Sequence, residues 1–463
     1  MLFSARAYNE NKLSNGLLFR YAALQVPLNA LMLPIFLYVP TFYAQERGVN
    51  LTLIGTLIFA SRMFDAVSDP TIGILSDHTR SRFGRRKPWI VGGMGIAAFA
   101  CYMLFAPPQS ASGGHMIVWL IACYLGWTMI SIPHLAWGTE LTRNYNQRTR
   151  VMAWRDGAEV IGFFMVGLIP FALGVSGEGF SGKVLDTLAV PVAIALIVCV
   201  ILAVFRTPIG QGQDNAPNPK TNLTMISDLV GNAPYMRLCI GMSCMRIGEG
   251  LRTTLAVIFI TYYWQRADFL ATFMMIFSLG GVLAVPFWAW LSKRIEKGPT
   301  WRIVIVSAMA MSPAFFFVDP TNTALITVII FVSGVIAIGN TMLPNAILGD
   351  VIDLDTLRSQ QLRAGAYVSV WSFLIKLALA IPVMIAFPIL DATGFNVTLG
   401  AQNDAAGVLA VGILYALSPI LFQLIAVLAV WNFPLSRAQH DIIRRRLKQR
   451  SDRQLAPEGG AVG

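Results

Sequence analysis

Charge is what this sequence has least of. Of its 463 residues only 13% are Asp, Glu, Lys or Arg, while 56% are hydrophobic. A soluble chain of this length carries about twice that share of charge, because its core must be covered by polar surface. The cysteines number five, and no two have metal-ligand or redox spacing, which sets aside a zinc site and a thiol–disulfide centre. Cys101, Cys123, Cys199, Cys239 and Cys244 all lie inside apolar runs and read as small core residues. No nucleophile elbow or phosphate-binding loop stands in the chain, and no His/Cys/Glu metal constellation stands in a span. This argues against the other class, a membrane enzyme or a non-transporting receptor, and against an ATP-driven pump. The opening MLFSARAYNENKLSNGLLFR has no short apolar core with a cleavage site. The expectation is that no signal peptide is removed and that the first span directs insertion.

Long apolar runs are abundant instead. A helix of about 20 apolar residues crosses a ~30 Å hydrocarbon layer. Twelve such spans are predicted, at 20–43, 53–76, 89–106, 116–138, 158–176, 186–205, 239–264, 270–291, 302–318, 323–348, 365–390 and 408–432. This is an all-α, multi-pass membrane protein. The formal charge of +11 needs no nucleic acid, because basic residues collect in cytoplasmic loops. Arg80, Arg82, Arg85, Arg86 and Lys87 follow span 2; Arg143, Arg148 and Arg150 follow span 4; Arg206, Lys220 and Arg237 follow span 6. Lys293, Arg294 and Lys297 follow span 8, and Arg358 and Arg363 follow span 10. The opposite loops hold only Arg47, Lys183 and Arg266. The alternation predicts both termini in the cytoplasm of a plasma-membrane protein, the inner membrane in a Gram-negative cell.

The segment TPIGQGQDNAPNPKTN, Thr207 to Asn222, is the longest polar interval between spans and reads as a central linker. The expected organisation is a six-helix bundle over 1–206, a cytoplasmic linker over 207–236, a second six-helix bundle over 237–434 and a basic tail over 435–463. The stretch SRAQHDIIRRRLKQRSDR reads as a basic amphipathic helix on the inner leaflet. The partners expected are a small-molecule substrate and the lipid bilayer, with the chain a monomer.

The chemistry concentrates in SRMFDAVSDPTIGILSDHTRSRFGRRKPWI, residues 61–90. Asp65 and Asp69 stand four apart, on one helical face at membrane depth. Each costs at least ~2.5–3.5 kcal/mol there unless it is partnered. An ion pair with Arg62, a hard-cation site for Na⁺ and a proton relay are the three readings. Two acids beside one arginine leave negative excess, which favours cation or proton. Gly73 allows a close helix, Asp77 can bond helix-end amides or an arginine, and Arg85 and Arg86 either mark topology or latch two helices.

The combination Arg62-x-x-Asp65-Ala66…Asp69-Pro70…Gly73…Thr79-Arg80-Ser81-Arg82-x-Gly84-Arg85-x-Lys87-Pro88-Trp89 resembles the glycoside–pentoside–hexuronide:cation symporters. These are melibiose-permease-like members of the major facilitator superfamily. The resemblance runs through Pro133…Glu140-Leu141…Arg148…Arg155, Leu343-Pro344…Asp350-Val351-Ile352-Asp353 and Arg363…Ala366-Tyr367…Lys376. It implies twelve transmembrane helices in a 6+6 arrangement and cation-coupled uptake by alternating access, with no cofactor beyond the coupling Na⁺ or H⁺. It implies that Asp65 and Asp69 form the cation site with the Thr128 hydroxyl beside it. It implies that Arg155 lies near substrate and gate, and that Lys376 lies near the acids. A lone ammonium in an apolar span needs a carboxylate in any case.

The chain departs from the melibiose-type pattern at the sugar-gripping positions. Ser131 replaces an aspartate, Leu135 replaces a tryptophan, and Asn29 stands about where the first span should carry an acid. Trp127, Trp137 and Trp371 are candidates to stack a sugar face, with packing as the alternative. In the seventh span Arg246, Glu249 and Arg252 fall three apart on one face. They are either a self-neutralising trio or, through Arg252 with Arg155 and Lys376, a cationic lining for an anionic substrate. Asp350, Asp353 and Asp355 are expected to end the tenth span and pair with loop arginines as a gate, with a solvated acidic cluster as the alternative. The expected cargo is a sugar or glycoside, possibly an anionic one; the alternative is a lysolipid or other amphiphile.

Overall fold

The computed structural model describes residues 13–142, 145–175, 180–208, 229–359, 364–397 and 402–434, with 439, 442, 443, 445, 446 and 449 beyond them. The linker core 209–228, Arg363 and the last residues 450–463 lie outside the described residues. In chain order the helices are α1 (Asn15–Ala22), α2 (Gln25–Leu37), α3 (Val39–Gln45), α4 (Leu51–His78), α5 (Lys87–Phe105), α6 (Gly113–Glu140), α7 (Tyr145–Ala172) and α8 (Phe180–Arg206). Then come α9 (Ala233–Ile258), α10 (Leu270–Ile295), α11 (Lys297–Phe317), α12 (Thr323–Ser359), α13 (Ala364–Ala392), α14 (Ala405–Gly412) and α15 (Ser418–Val430).

Ten helical stretches among the described residues are long and apolar enough to cross a membrane. Two more helices, α7 of 28 residues and α9 of 26, have the length but carry charges in their interiors. The sequence places Arg155, Asp156 and Glu159 in the first and Arg246, Glu249 and Arg252 in the second. The expected spans 5 (158–176) and 7 (239–264) overlap these two helices and take in Glu159 and all three charges of the second.

Local chemistry sets several boundaries. The Ser14 side chain accepts from the Leu17 N–H and starts α1 ahead of the expected residue 20. Asn50 caps α4 in the same way, accepting from Leu53 N–H at 3.1 Å. The expected single first span is three helices, with Pro40 opening the third. The expected single last span is interrupted by a π turn, Ile413–Leu417, just before Pro419. Proline has no N–H to bond four residues back, and a wider turn accommodates the loss. The tenth span does not end at its acids. Helix α12 runs 37 residues to Ser359, so Asp350, Asp353 and Asp355 are helical.

Two compact units emerge. One takes in the described residues of 1–216 together with Thr253–Met275 and Val383–Val411; the other takes in those of 217–252, Ile276–Pro382 and 412–463. In the first, α5 and α6 meet backbone to backbone at Gly126, where a Cβ would stand 2.6 Å from Ala97 N. At Gly73, expected to allow a close helix, a Cβ would stand 3.7 Å from Ile132 Cγ2, an ordinary contact. In the second, Trp301, Tyr235, Tyr367 and Trp371 anchor a buried cluster.

Candidate functional site

The helical spacing of Asp65 and Asp69 turns both carboxylates toward α6. Asp65 is 1% exposed, Asp69 half-buried and Thr128 fully buried. The Thr128 hydroxyl oxygen lies 3.0 Å from Asp65 Oδ1 and 3.1 Å from Asp69 Oδ1. One hydroxyl proton serves one acceptor at a time. The second close oxygen is therefore compatible with a shared proton or with a cation drawn to both carboxylates. Among the described residues no group of three or more His, Cys, Asp or Glu stands together. A cation here would complete its shell with hydroxyl, backbone or water oxygens.

Arg62, the expected ion-pair partner, is only 4% exposed and lies under an aromatic lid. Its guanidinium sits 3.6 Å from the Phe36 ring centre and 5.2 Å from that of Tyr124. Its Nε and Nη2 reach no hydrogen-bond acceptor among the described residues. The aromatic rings stack on the guanidinium while the Asp65 charge also acts on it. Tyr124, Thr128 and Ser131 follow one another up one face of α6, and the hydroxyls of Tyr124 and Ser131 are buried with no partner among the described residues. That column was legible in the spacing, although only Thr128 and Ser131 had been singled out. Trp127 precedes Thr128 on the same helix and is half-buried.

Other candidates in this unit are already engaged. Asn29 Nδ2 donates to Gln25 O at 3.0 Å. Trp137 donates to Pro208 O at 3.1 Å and has Lys87 over its ring at 5.2 Å. Arg155 bonds Asp156 at 3.1 Å, and its Nε is buried without a partner among the described residues. His134 is a packing residue, stacked on Tyr21 at 4.2 Å.

The basic loop folds back onto the ends of α4 and α6. Gly84, at φ +87°, donates to Ser81 O and turns the chain back. Arg86 then reaches Glu140 at 2.8 Å and Asp77 at 2.5 Å, and its Nη1 donates to Ser76 Oγ at 2.8 Å. Arg85 joins Glu140 at 3.1 Å. Glu140, which binds both arginines, had been seen only as part of the motif.

In the second unit the seventh-span trio divides. Arg246 pairs with Glu249 at 2.8 Å and donates to Thr341, and Asn340 approaches Glu249 at 3.4 Å. Arg252 turns instead to Ser312 Oγ and lies 5.2 Å over the Phe315 ring, with Gln423 bonded to the same serine. Trp371 donates to Asn345 Oδ1 at 3.0 Å, and Lys376 is half-buried further along α13. Asp350 is held by Lys297 at 2.6 Å, a lysine on α11 rather than a loop arginine; Asp353 is half-buried one turn on.

The MFS/sugar transport protein family model matches residues 20–437. The inner membrane symporter YicJ of Escherichia coli (strain K12) is 25% identical to this chain, over 90% of the chain and 91% of its own length. The sodium-dependent lysophosphatidylcholine symporter 1-B of Danio rerio is 22% identical, over 87% of this chain and 83% of its own. Among solved structures, a bacterial homologue of the human lysosomal transporter Spinster matches with a TM-score of 0.65 at 14% identity, over 95% of this chain and 99% of its own. That likeness is one of fold, an all-α membrane protein of many spans.

Proposed function

The chain belongs to the MFS/sugar transport protein family, and from that premise we propose that it is a cation-coupled symporter of an amphiphilic solute, a lysolipid or a molecule of similar build. The observation that carries the coupling is the Thr128 hydroxyl in reach of both Asp65 and Asp69. A Na⁺ or H⁺ bound there offsets the cost of two buried carboxylates, and the loaded carrier reorients between two six-helix halves by alternating access. Membership of the glycoside–pentoside–hexuronide:cation branch is part of the same reading, as are a monomer in the plasma membrane and cytoplasmic termini.

Three things support an amphiphile. The positions that grip sugar hydroxyls in melibiose-type carriers are Asn29 and Ser131 here, and the Asn29 amide is spent on its own helix. The buried cation Arg62 is walled by Phe36 and Tyr124, a surface suited to an anionic group with an apolar body. A lysophosphatidylcholine symporter is among the relatives. The second reading is a glycoside, neutral or anionic. The family's sugar-transport description and the partnerless buried hydroxyls of Tyr124 and Ser131 favour it.

Uptake of a lysolipid and of glycosides into vesicles, with and without a Na⁺ or pH gradient, separates the two. Asp65→Cys and Asp69→Cys should each abolish cation-stimulated uptake while membrane insertion survives; stimulation retained in both sinks the coupling site. Lys376→Ala should change the cation dependence if that lysine answers the acids, and leave it untouched if not.

A further inference from the structure

The tail that reads in sequence as a generic basic helix builds a specific recess. Gln439, Ile442, Ile443, Arg446 and Gln449 are helical and fall on one helical face. That face closes a cavity of ≈ 630 Å³ against the last turns of α12, where Leu354 and Arg358 form the opposite wall. Leu354 is 8% exposed and Ile443 is 5% exposed, so the floor is apolar. Arg358 and Arg446 stand at the rim with Gln439 and Gln449, and none of the lining residues is acidic. Arg445, next in sequence to Arg446, is helical and exposed but does not line the cavity.

The level of the cavity follows from helix length. The 37 residues of α12 rise about 55 Å at ~1.5 Å each, well beyond a ~30 Å hydrocarbon layer. Its last turns therefore stand among head groups, on the side that carries the basic loops. Guanidinium pairs match phosphate oxygens in a fork geometry, and basic recesses at this depth take acidic lipid head groups. We propose that this cavity seats the head group of an acidic glycerophospholipid, its phosphate between Arg358 and Arg446 and the first acyl carbons on Leu354 and Ile443. The lipid would pin the C-terminal helix to α12. The proposal does not rest on the transport reading and stands if Asp65 and Asp69 bind no cation.

The test uses the full chain in detergent, with native mass spectrometry for lipid retention and thermal melting for stabilisation. Phosphatidylglycerol should be retained in preference to phosphatidylcholine and should raise the melting temperature. Arg358→Gln and Arg446→Gln should each weaken retention about fivefold, and the double variant about 30-fold, while Arg445→Gln leaves it unchanged. Equal loss in Arg445→Gln would mean diffuse attraction to a basic tail and overturns the site. Stabilisation by inorganic phosphate alone removes the lipid as occupant. Equal retention of the two lipids by the unaltered protein, a comparison that needs no variant, also defeats the proposal.

Discussion

A hydroxyl carries one proton, and Thr128 has two carboxylate oxygens within 3.1 Å. Replacing it with valine keeps the volume and removes the oxygen. A hydrogen bond to a charged group contributes ~1.5–3 kcal/mol, so Thr128→Val should weaken cation activation of uptake about tenfold or more. Binding of the solute without cation should survive, and equilibrium binding with and without Na⁺ checks both. Glu46, in the loop before α4, is a second residue-scale case. Burial pushes its carboxyl above the ordinary value of 4.5, against the Arg47 charge and a Gly182 backbone N–H that pull it down. Between the ordinary value and the raised one the folded chain binds more protons than the unfolded chain. Stability from this group is therefore greatest in acid and falls as pH rises through that window. Glu46→Gln should flatten that fall, and melting temperature measured against pH in both proteins would reveal it. An unchanged profile would mean that the carboxyl is not buried as described.

At the scale of elements, the glycine contact between α5 and α6 sets how closely those helices lie. A Cβ on Gly126 would meet Ala97 N at 2.6 Å and Ala97 Cα at 2.8 Å, and backbone atoms cannot swing aside. Gly126→Ala should therefore cost ~1–3 kcal/mol and lower the melting temperature of the purified protein. Thr128 stands two residues on, so the same change should also loosen its reach to the acids. The helices themselves were largely legible, because runs of apolar residues are a local signal, while the Ser14 and Asn50 caps that start α1 and α4 earlier than expected were not read. Their ends were less so. Nothing in LGDVIDLD ends a helix, and α12 carries its acids on because Lys297 neutralises Asp350 from α11.

For the molecule as a whole, one compact unit contains the described first 216 residues and the segments Thr253–Met275 and Val383–Val411. Within it Asp391 accepts from Asn50 at 3.0 Å and from Thr52 at 2.8 Å, at the N-terminus of α4, where the helix dipole also favours negative charge. Gln45 donates to Tyr262, whose hydroxyl donates to Val397 O at 2.6 Å. These bonds tie the segments 253–275 and 383–411 to the first 216 residues within this unit. Asp391→Ala should favour local release of the α4 N-terminus by about fivefold or more, as loss of roughly 1 kcal/mol implies. With the native cysteines replaced, a single cysteine at the buried Ile54 should then react faster with a water-soluble thiol reagent. An unchanged rate would show that Asp391 does not hold that end of α4.

The sequence alone determined the solvent, the helical class and the two acids, because hydropathy and a four-residue spacing act along one chain segment. The pairing of Asp65 and Asp69 through a hydroxyl 59 residues from the nearer one was legible only by resemblance, and contact across helices established the distance. Tertiary structure alone decided where the arginines go. Arg62 turned to Phe36, Arg252 to Ser312 and Arg86 to Glu140 and Asp77. A long cation chooses among partners by what packing brings within reach, and that choice is not written in spacing. The basic stretch after the second acid was legible as a run of charge, and only the fold decided which carboxylates Arg85 and Arg86 meet.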